Sequence, residues 1–333
     1  MNDHLAVALR CPGCHAALRA GDTCWTCSTC GRAYPATLGI PDLRGARGGR
    51  DDTALVARLV DAYPRATFEE LVEIRQYAAG DLPADLRNAY AAYRHMMFTR
   101  GRTLYAMFRD GLLKHYGDTG HGLALDLGCG VGANALPMAG DFAQVVGVDP
   151  GLPDLILARK ALEENGVGNV VLVQAFAQGV PLVDGACDFA SAQNVLEHVL
   201  DLDGALAEAA RVLRPGGGFA ADSRNRYDLF FREPHVRLRW VGFLPRRWQA
   251  RYVHWRRGLT YDDTRLLSYG ELLRALRRRL GPRTRITFPD VTAYGAGEGP
   301  ARLVAGAARV PGVGEMLLRV FPTQLALGLC DMN

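Results

Sequence analysis

Lysine is nearly absent from this chain of 333 residues, which has only Lys114 and Lys160, so 37 of its 39 basic side chains are arginine. So lopsided a usage points to base composition in the coding sequence, and arginine abundance alone is weak support for phosphate binding. Charge of one sign is scarce too: the formal net charge is +4, too small to make the whole chain a nucleic-acid-binding surface. No long uncharged apolar run occurs. The most apolar late stretch, Leu303 to Leu329, is interrupted by Arg309, Pro311, Glu315, Arg319 and Pro322, and so fails the ~20-residue criterion for a membrane-spanning helix. The first ten residues, MNDHLAVALR, lack the charged start and apolar core of a secretion signal. These absences lead us to expect a cytoplasmic protein. Hydrophobic content of 49% and charged content of 22% are those of an ordinary globular chain. Its length suits one large α/β domain with a small appendage, at ~150 residues per domain.

Cysteine is present but unevenly spread. Five of the eight fall within the first thirty residues, and the others stand at 129, 187 and 330. Without a secretion signal, clustered CxxC pairs read as metal ligands rather than disulfides. Cys11 and Cys14 form one pair, and Cys27 and Cys30 the other. Two such knuckles joined by a hairpin supply the four soft ligands of tetrahedral zinc. Cys24 and Cys27 are also a CxxC pair. Cys27 and Cys30 are favoured because Gly31 follows and permits the tight turn that aims amides at the thiolates. A segment this small buries little apolar surface, and a metal would substitute for the missing core. Residues Trp25 to Leu43, with Cys-Gly-Arg-Ala-Tyr-Pro and Gly-Ile-Pro-Asp-Leu, resemble zinc-ribbon modules fused to or partnering methyltransferases. That resemblance implies a structural Zn2+ and no catalysis in a ribbon spanning residues 1–45.

A polar joint, GARGGRDD, follows. Residues 46–120 then carry helical patterns: TALVARLVDAY, TFEELVEIRQYAA, and a long run from Pro83 to His115. Leu86, Tyr90, Tyr93, Met97 and Leu104 recur at three- and four-residue spacing. A helical layer packed on a catalytic domain, with a lid as the functional alternative, is the reading of this segment.

The densest signal is HGLALDLGCGVGANALPMAG. Leu123 to Leu127 reads as a buried parallel strand ending in Asp126, Gly128, Cys129, Gly130 and Gly132, before a helix-forming stretch. Glycines so placed let the backbone turn sharply and approach a ligand. Dinucleotide enzymes use a similar triplet, so it does not decide alone. A second strand, Gln144 to Asp149, ends in an acid about twenty residues on, suited to accepting from ribose hydroxyls. Then come VQAFAQGVPLVDGACDFASAQNVLEHVLD and the turn LRPGGG.

Across residues 121 to about 222 this series resembles the class I S-adenosylmethionine-dependent methyltransferases. The resemblance implies a Rossmann-like α/β fold, a seven-stranded sheet with helices on both faces, over residues 121–333. It places the methionine end of S-adenosylmethionine at Asp126, Gly128, Cys129, Gly130 and Gly132, and the ribose at Asp149. It puts Gln193 and Asn194 beside the methyl group, and Pro215 with the glycines that follow in the turn before strand five. Where the family often has an acid for the adenine amino group, this chain has Phe176, leaving Ala177 and Gln178 to read the base. YGELLRALRRRL, RTRITF and TQLALGL supply a last helix and two further strands.

Residues 223–267 form a substrate-side insert. Between Arg224 and Arg285 there are 17 arginines against five acids, Asp228, Glu233, Asp262, Asp263 and Glu271. That balance suits a phosphate-bearing, nucleotide-linked, lipid-linked or RNA substrate, and equally a solvated arginine surface. If the acceptor is a hydroxyl, a base is needed, and His198 and His235 are the candidates. Pure in-line positioning is the alternative. The leading reading is methylation of a hydroxyl on a sugar, glycolipid or secondary metabolite. The runner-up is ribosomal or transfer RNA methylation, weakened by the all-cysteine ribbon and the absence of an Asn-Pro-Pro-Tyr-like motif. A non-catalytic ribbon-mediated binding module is the third.

Overall fold

A computed structural model describes residues 9–21, 23–45, 52–77, 83–199, 201–229, 231–289, 307 and 312–331. Most of the polar joint, residues 46–51, lies outside them.

The ribbon is a four-stranded antiparallel sheet, β1 (Leu18–Arg19), β2 (Cys24–Cys27), β3 (Ala33–Thr37) and β4 (Ile40–Pro41), paired in that order. Its turns rest on Gly31 and Gly39, both with positive φ, which glycine adopts at no steric cost. It does not hang free. The Leu43 amide donates to the Gln174 carbonyl at 2.8 Å, and the Arg10 amide to the Pro181 carbonyl at 2.8 Å. Leu9, Leu18, Trp25, Tyr34 and Leu43 join one buried cluster with Val173 of the large sheet and Leu182 of the segment that follows that strand. A segment too small for a core of its own thereby borrows one, while covering the edge of the neighbouring strand.

Three helices follow: α1 (Thr53–Ala62), α2 (Phe68–Tyr77) and the 33-residue α3 (Ala84–Tyr116). The expected spacing puts Leu86, Met97 and Leu104 inside, whereas Tyr93 is partly exposed. Helices α1 and α2 pack on α5 (Leu152–Glu164) through Leu59, Phe68, Leu71, Ile156 and Leu157. Arg75 clamps Asp154 with two bonds of 2.8 and 3.0 Å.

The large sheet has seven strands in the order β10-β11-β9-β8-β5-β6-β7. These are β5 (Leu123–Leu127), β6 (Gln144–Asp149), β7 (Val170–Gln174), β8 (Cys187–Gln193), β9 (Leu213–Arg224), β10 (Arg285–Thr287) and β11 (Thr323–Leu329). Strands β7, β6, β5, β8 and β9 run parallel, and β11 and β10 are antiparallel additions. Continuous apolar stretches such as Val145–Val148 are what a strand covered on both faces requires. Helices α6 (Leu202–Val212) and α8 (Tyr269–Leu280) lie together beside the sheet. Ser268 and Glu271 cap α8 reciprocally, a capping box that satisfies its first amides.

Two local expectations are modified. The helix after the glycine loop is a single turn, α4 (Ala135–Met138), because Pro137 carries no amide hydrogen to extend it and Gly140 follows. The Pro-Gly-Gly-Gly segment is an outward excursion within β9. Pairing jumps from Cys187↔Leu213 to Phe189↔Gly218, and Gly216 takes φ of +76°.

Candidate active site

Order reverses between β5 and β8, the two strands flanking the point from which the chain winds in opposite directions. Ligands of open α/β sheets bind outside the carboxyl ends of the strands there, and the sequence-predicted residues gather at those ends.

Asp126 is the penultimate residue of β5 and is wholly buried. One carboxylate oxygen accepts from Asn134 Nδ2 at 3.0 Å and from Ser191 Oγ at 3.0 Å. The other, Oδ2, is buried with no partner. Burial raises its pKa to about 6 against the pull of those bonds. Gly128, Gly130 and Gly132 all have positive φ. A Cβ on Gly128 would stand 2.3 Å from Val195 Cγ2, whereas one on Gly130 would meet nothing within 4 Å. The loop is therefore packed against β8's following turn at its first glycine and open at its second. Cys129 is buried between them, its thiol pushed well up by desolvation.

Asp149 ends β6. Its two oxygens accept from the amides of Gly151 at 2.8 Å and Gly130 at 3.0 Å. One carboxylate thus ties the second strand's end to the glycine loop. Burial, then the nearby Asp154 charge, lifts its pKa to about 7. Gln193 and Asn194 end β8, half-buried, with Asn194 at φ of +51°, a left-handed conformation that asparagine tolerates better than most residues. Asp222 fixes that turn by accepting the Asn194 amide at 2.8 Å. Phe176, Ala177 and Gln178 sit in a half-buried turn just beyond β7, closed by the Gly179 amide on the Phe176 carbonyl.

These features fit S-adenosylmethionine. Asp126 keeps an unpartnered oxygen in the interior, where an ammonium group would answer it. The glycine loop is open beside Gly130. Asp149 retains lone pairs for ribose hydroxyls beyond the two amides it accepts.

On the substrate side the structure brings the two histidines together. His198 lies in the turn after β8, exposed, and His235 in the insert. Their rings meet edge to face with centroids 4.7 Å apart. His235 Nδ1 bonds the Glu233 carboxylate, whose other oxygen accepts the Val236 amide at 2.9 Å. Burial works against a charged His235, but the Glu233 bond and charge outweigh it and hold the pKa above the ordinary value. Beside them Glu197, almost fully buried, accepts from Ser223 Oγ at 3.2 Å. Asp222 is raised to about 7 by burial and then by the Glu197 charge, with Arg100 of α3 opposing. A shallow pocket opens here, lined among others by Arg224, Asp228, Phe231, Glu233, Trp240 and Leu266.

Sequence reasoning missed Glu233, Glu197 and Asp222. Glu233 had a signal, since it stands two residues before His235 across a proline that enforces a bend. Asp222 and Glu197 had none, because their partners come from another strand.

In the ribbon, the Sγ atoms of Cys11, Cys14, Cys27 and Cys30 all lie within 4.8 Å of one another. The separations are 3.8 Å for Cys11–Cys30 and 3.4 Å for Cys14–Cys27. A tetrahedron with Zn–S bonds of about 2.3 Å has edges of about 3.8 Å. Amides of Gly13 and Cys30 donate to Cys11 and Cys27 Sγ at 3.4 Å, and the Tyr34 hydroxyl lies 3.0 Å from Cys11 Sγ. Both interactions favour thiolates. Cys24 lies outside the cluster, its thiol directed at the Trp25 carbonyl. The cage is closed by four protein ligands, the arrangement of structural zinc.

Residues 125–221 match the family model described as a methyltransferase domain. A ubiquinone biosynthesis O-methyltransferase of a Methylobacterium strain is 34% identical over 149 residues, 42% of this chain and 59% of the relative. One from Sodalis glossinidius is 33% identical over 167 residues, 49% of this chain and 64% of the relative. An uncharacterized 37.1 kDa transposon protein of Streptomyces fradiae is 41% identical over 97 residues, 28% of each chain. The chain thus spans less than two thirds of the length of these curated relatives. A solved Thermotoga maritima structure, described as an S-adenosylmethionine-dependent methyltransferase and possible histamine N-methyltransferase, aligns at 18% identity. It covers 74% of this chain and 95% of its own, with a TM-score of 0.45. The segment that matches the methyltransferase-domain model is the one that holds the glycine loop, both strand-end acids and the Asn194 turn.

Proposed function

We propose that the chain transfers a methyl group from S-adenosylmethionine to a hydroxyl of a small molecule, a sugar, glycolipid or secondary metabolite being the class in view. The observation that carries this reading is the Glu233–His235 pair, with Glu233 lining the pocket and His235 packed on His198 of the turn after β8. A hydroxyl gains a cationic character as it is methylated, and a positioned base must take its proton. With Nδ1 committed to Glu233, His235 presents Nε2 as the acceptor, the tautomer fixed by its carboxylate partner. His198 packs on its ring edge and limits its rotation. When bound, S-adenosylmethionine supplies the activated methyl group. Asp126 and the glycine loop would hold its amino-acid end, Asp149 its ribose, and Gln193 with Asn194 the neighbourhood of its methyl. Ala177, Gln178 and Phe176 would flank the adenine. The O-methyltransferase names of the curated relatives agree with oxygen as the acceptor.

His235→Gln should lower turnover ~10²–10⁴-fold, the usual loss of a general base, while cofactor affinity by calorimetry stays unchanged. Full activity in a folded variant would remove His235 from the mechanism. Labelled methyl transfer into fractionated extracts should mark lipid or small-molecule fractions; label confined to RNA would overturn the substrate class.

A further inference from the structure

The chain has four tryptophans. Trp25 is buried at 4% exposure in the ribbon's core, but Trp240, Trp248 and Trp255 are 60%, 48% and 75% exposed. All three lie within sixteen residues of the insert. A large aromatic ring normally gains by burial, and a cluster of them on the surface marks an interaction face. Helix α7 (Arg246–Arg257) organises it. Gln249 and Val253 are buried, with Val253 in the insert's own small core beside Val236, Val241 and Tyr261. Trp248, Arg251 and Trp255 follow at i, i+3 and i+7, an exposed stripe of the other side, while Tyr252 packs half-buried against that core. Phe231 and Phe243 are exposed nearby.

Charge on this helix is of one sign. Helix α7 contains no acid. Of its arginines, Arg246 pairs with Glu271 and Arg257 with Asp85. Arg247, Arg251 and Arg256 are exposed and form no ion pair among the described residues. Arg251 and Arg256 instead sit over the Trp248 and Trp255 rings, each 5.6 Å from the centroid. Of the insert's four acids, Asp228 is paired with Arg224, Glu233 is buried against His235, and Asp262 and Asp263 are exposed in the segment after α7.

We propose that this face is a docking surface for an anionic lipid bilayer. Tryptophan and tyrosine favour the headgroup level, where one side of the ring is apolar and the other wet. Arginines beside them are drawn to a negatively charged lipid surface, and an interfacial helix of this kind lies flat in the boundary. No helix among the described residues is long and apolar enough to cross a membrane, so the attachment is peripheral. Trp240 and Phe231 line the same pocket as Glu233, which bonds His235, so on the proposed function the patch adjoins the mouth at which the acceptor enters. Docking would therefore point that mouth at the bilayer. Single-stranded nucleic acid, the other polyanion, is held in basic grooves with rings free to stack. Here the rings stand on the outside of one helix and two are already covered by arginines.

The test is sedimentation of the full chain with vesicles of pure phosphatidylcholine or of about seven parts phosphatidylcholine to three parts phosphatidylglycerol. The chain should pellet with the anionic vesicles at least about tenfold more strongly than with the neutral ones, and be released at 1 M salt, where the Debye length is about 3 Å. Tryptophan emission should shift to the blue on binding. Trp248→Ser with Trp255→Ser, and separately Arg251→Gln with Arg256→Gln, should each cut binding about tenfold. None of these side chains is in a buried cluster, and an unchanged melting temperature will verify folding. Absence of vesicle binding, or binding that neither double variant weakens, overturns the proposal. So does tight binding of a single-stranded oligonucleotide with no affinity for anionic vesicles. These readouts are independent of methyl transfer.

Discussion

The two halves of the proposed site are built from opposite materials. The cofactor half is built into the sheet: Asp126 is buried in a short polar network, Asp149 is half-buried and held by backbone amides, and the glycine loop is shaped by Val195 and the strand ends. The substrate half is an insert with a small core of its own, and it turns its aromatic rings and arginines outward. A ligand common to many enzymes is met by backbone geometry, which varies little. A particular acceptor is met by side chains on a loop-rich excursion, which can change without disturbing the sheet.

The ribbon gives the largest expected effect, because it sits against the cofactor half and not the insert. Cys14→Ser or Cys27→Ser should abolish stoichiometric zinc, whereas Cys24→Ser should retain one ion per chain by metal analysis. Without the cage, the contacts of Leu9, Leu18, Trp25, Tyr34 and Leu43 with the β7 edge should loosen. Burial of a large apolar side chain is worth roughly 1.5–3 kcal/mol, so chelation should lower the melting temperature of the whole molecule. Zinc retained by Cys30→Ser and lost by Cys24→Ser would reverse the ligand assignment. An unchanged melting temperature after chelation would separate the ribbon energetically from the sheet.

Asp149→Ala probes the interior half directly. It removes the acceptor of the Gly130 and Gly151 amides as well as that of the ribose. S-adenosylmethionine binding should weaken by roughly 1.5–3 kcal/mol, as for loss of a charge-assisted partner. Calorimetry on the folded variant is the check. Unchanged affinity would mean that backbone groups alone hold the cofactor.

The same contrast explains what was legible from sequence. The strands Leu123–Leu127, Gln144–Asp149 and Thr323–Leu329, and the helix Tyr269–Leu280, could be read to the residue, because period and capping are local. The glycine loop and the Cys11, Cys14, Cys27 and Cys30 cage were equally readable, since fixed spacing dictates their geometry. What escaped was non-local. The docking of Leu43 on Gln174 depends on which strand is left at the sheet's edge. The meeting of His198 and His235 depends on how the insert folds back. Asp222 and Glu197 acquire their environment from strands far apart in the chain.

Glu233→Gln carries the smallest expected effect and is the finest test of the insert's chemistry. Glu233 holds His235 by its carboxylate, and the bond and charge together raise the imidazole's pKa despite burial. A base must be neutral to accept a proton, so activity should fall as pH drops through a value above the ordinary ~6.5 of histidine. Removing the negative charge favours the neutral imidazole, and the acid limb of the pH profile should move to lower pH by about one unit, the scale set by a nearby opposite charge. The sign for stability is the same: a histidine whose folded pKa is raised stabilises the fold fully below ~6.5, and that contribution disappears as pH rises through the folded value. The variant should therefore lose stability at pH 5.5 and little at pH 8.5, as read by melting temperature. Glutamine can still accept the His235 N–H, so the tautomer is kept and cofactor affinity should be unchanged. If the acid limb stays where it is while turnover falls, Glu233 serves only to place the ring. If neither moves, the proton leaves by another route, and the in-line hold of the β8 and β9 ends becomes the better account of how this domain works.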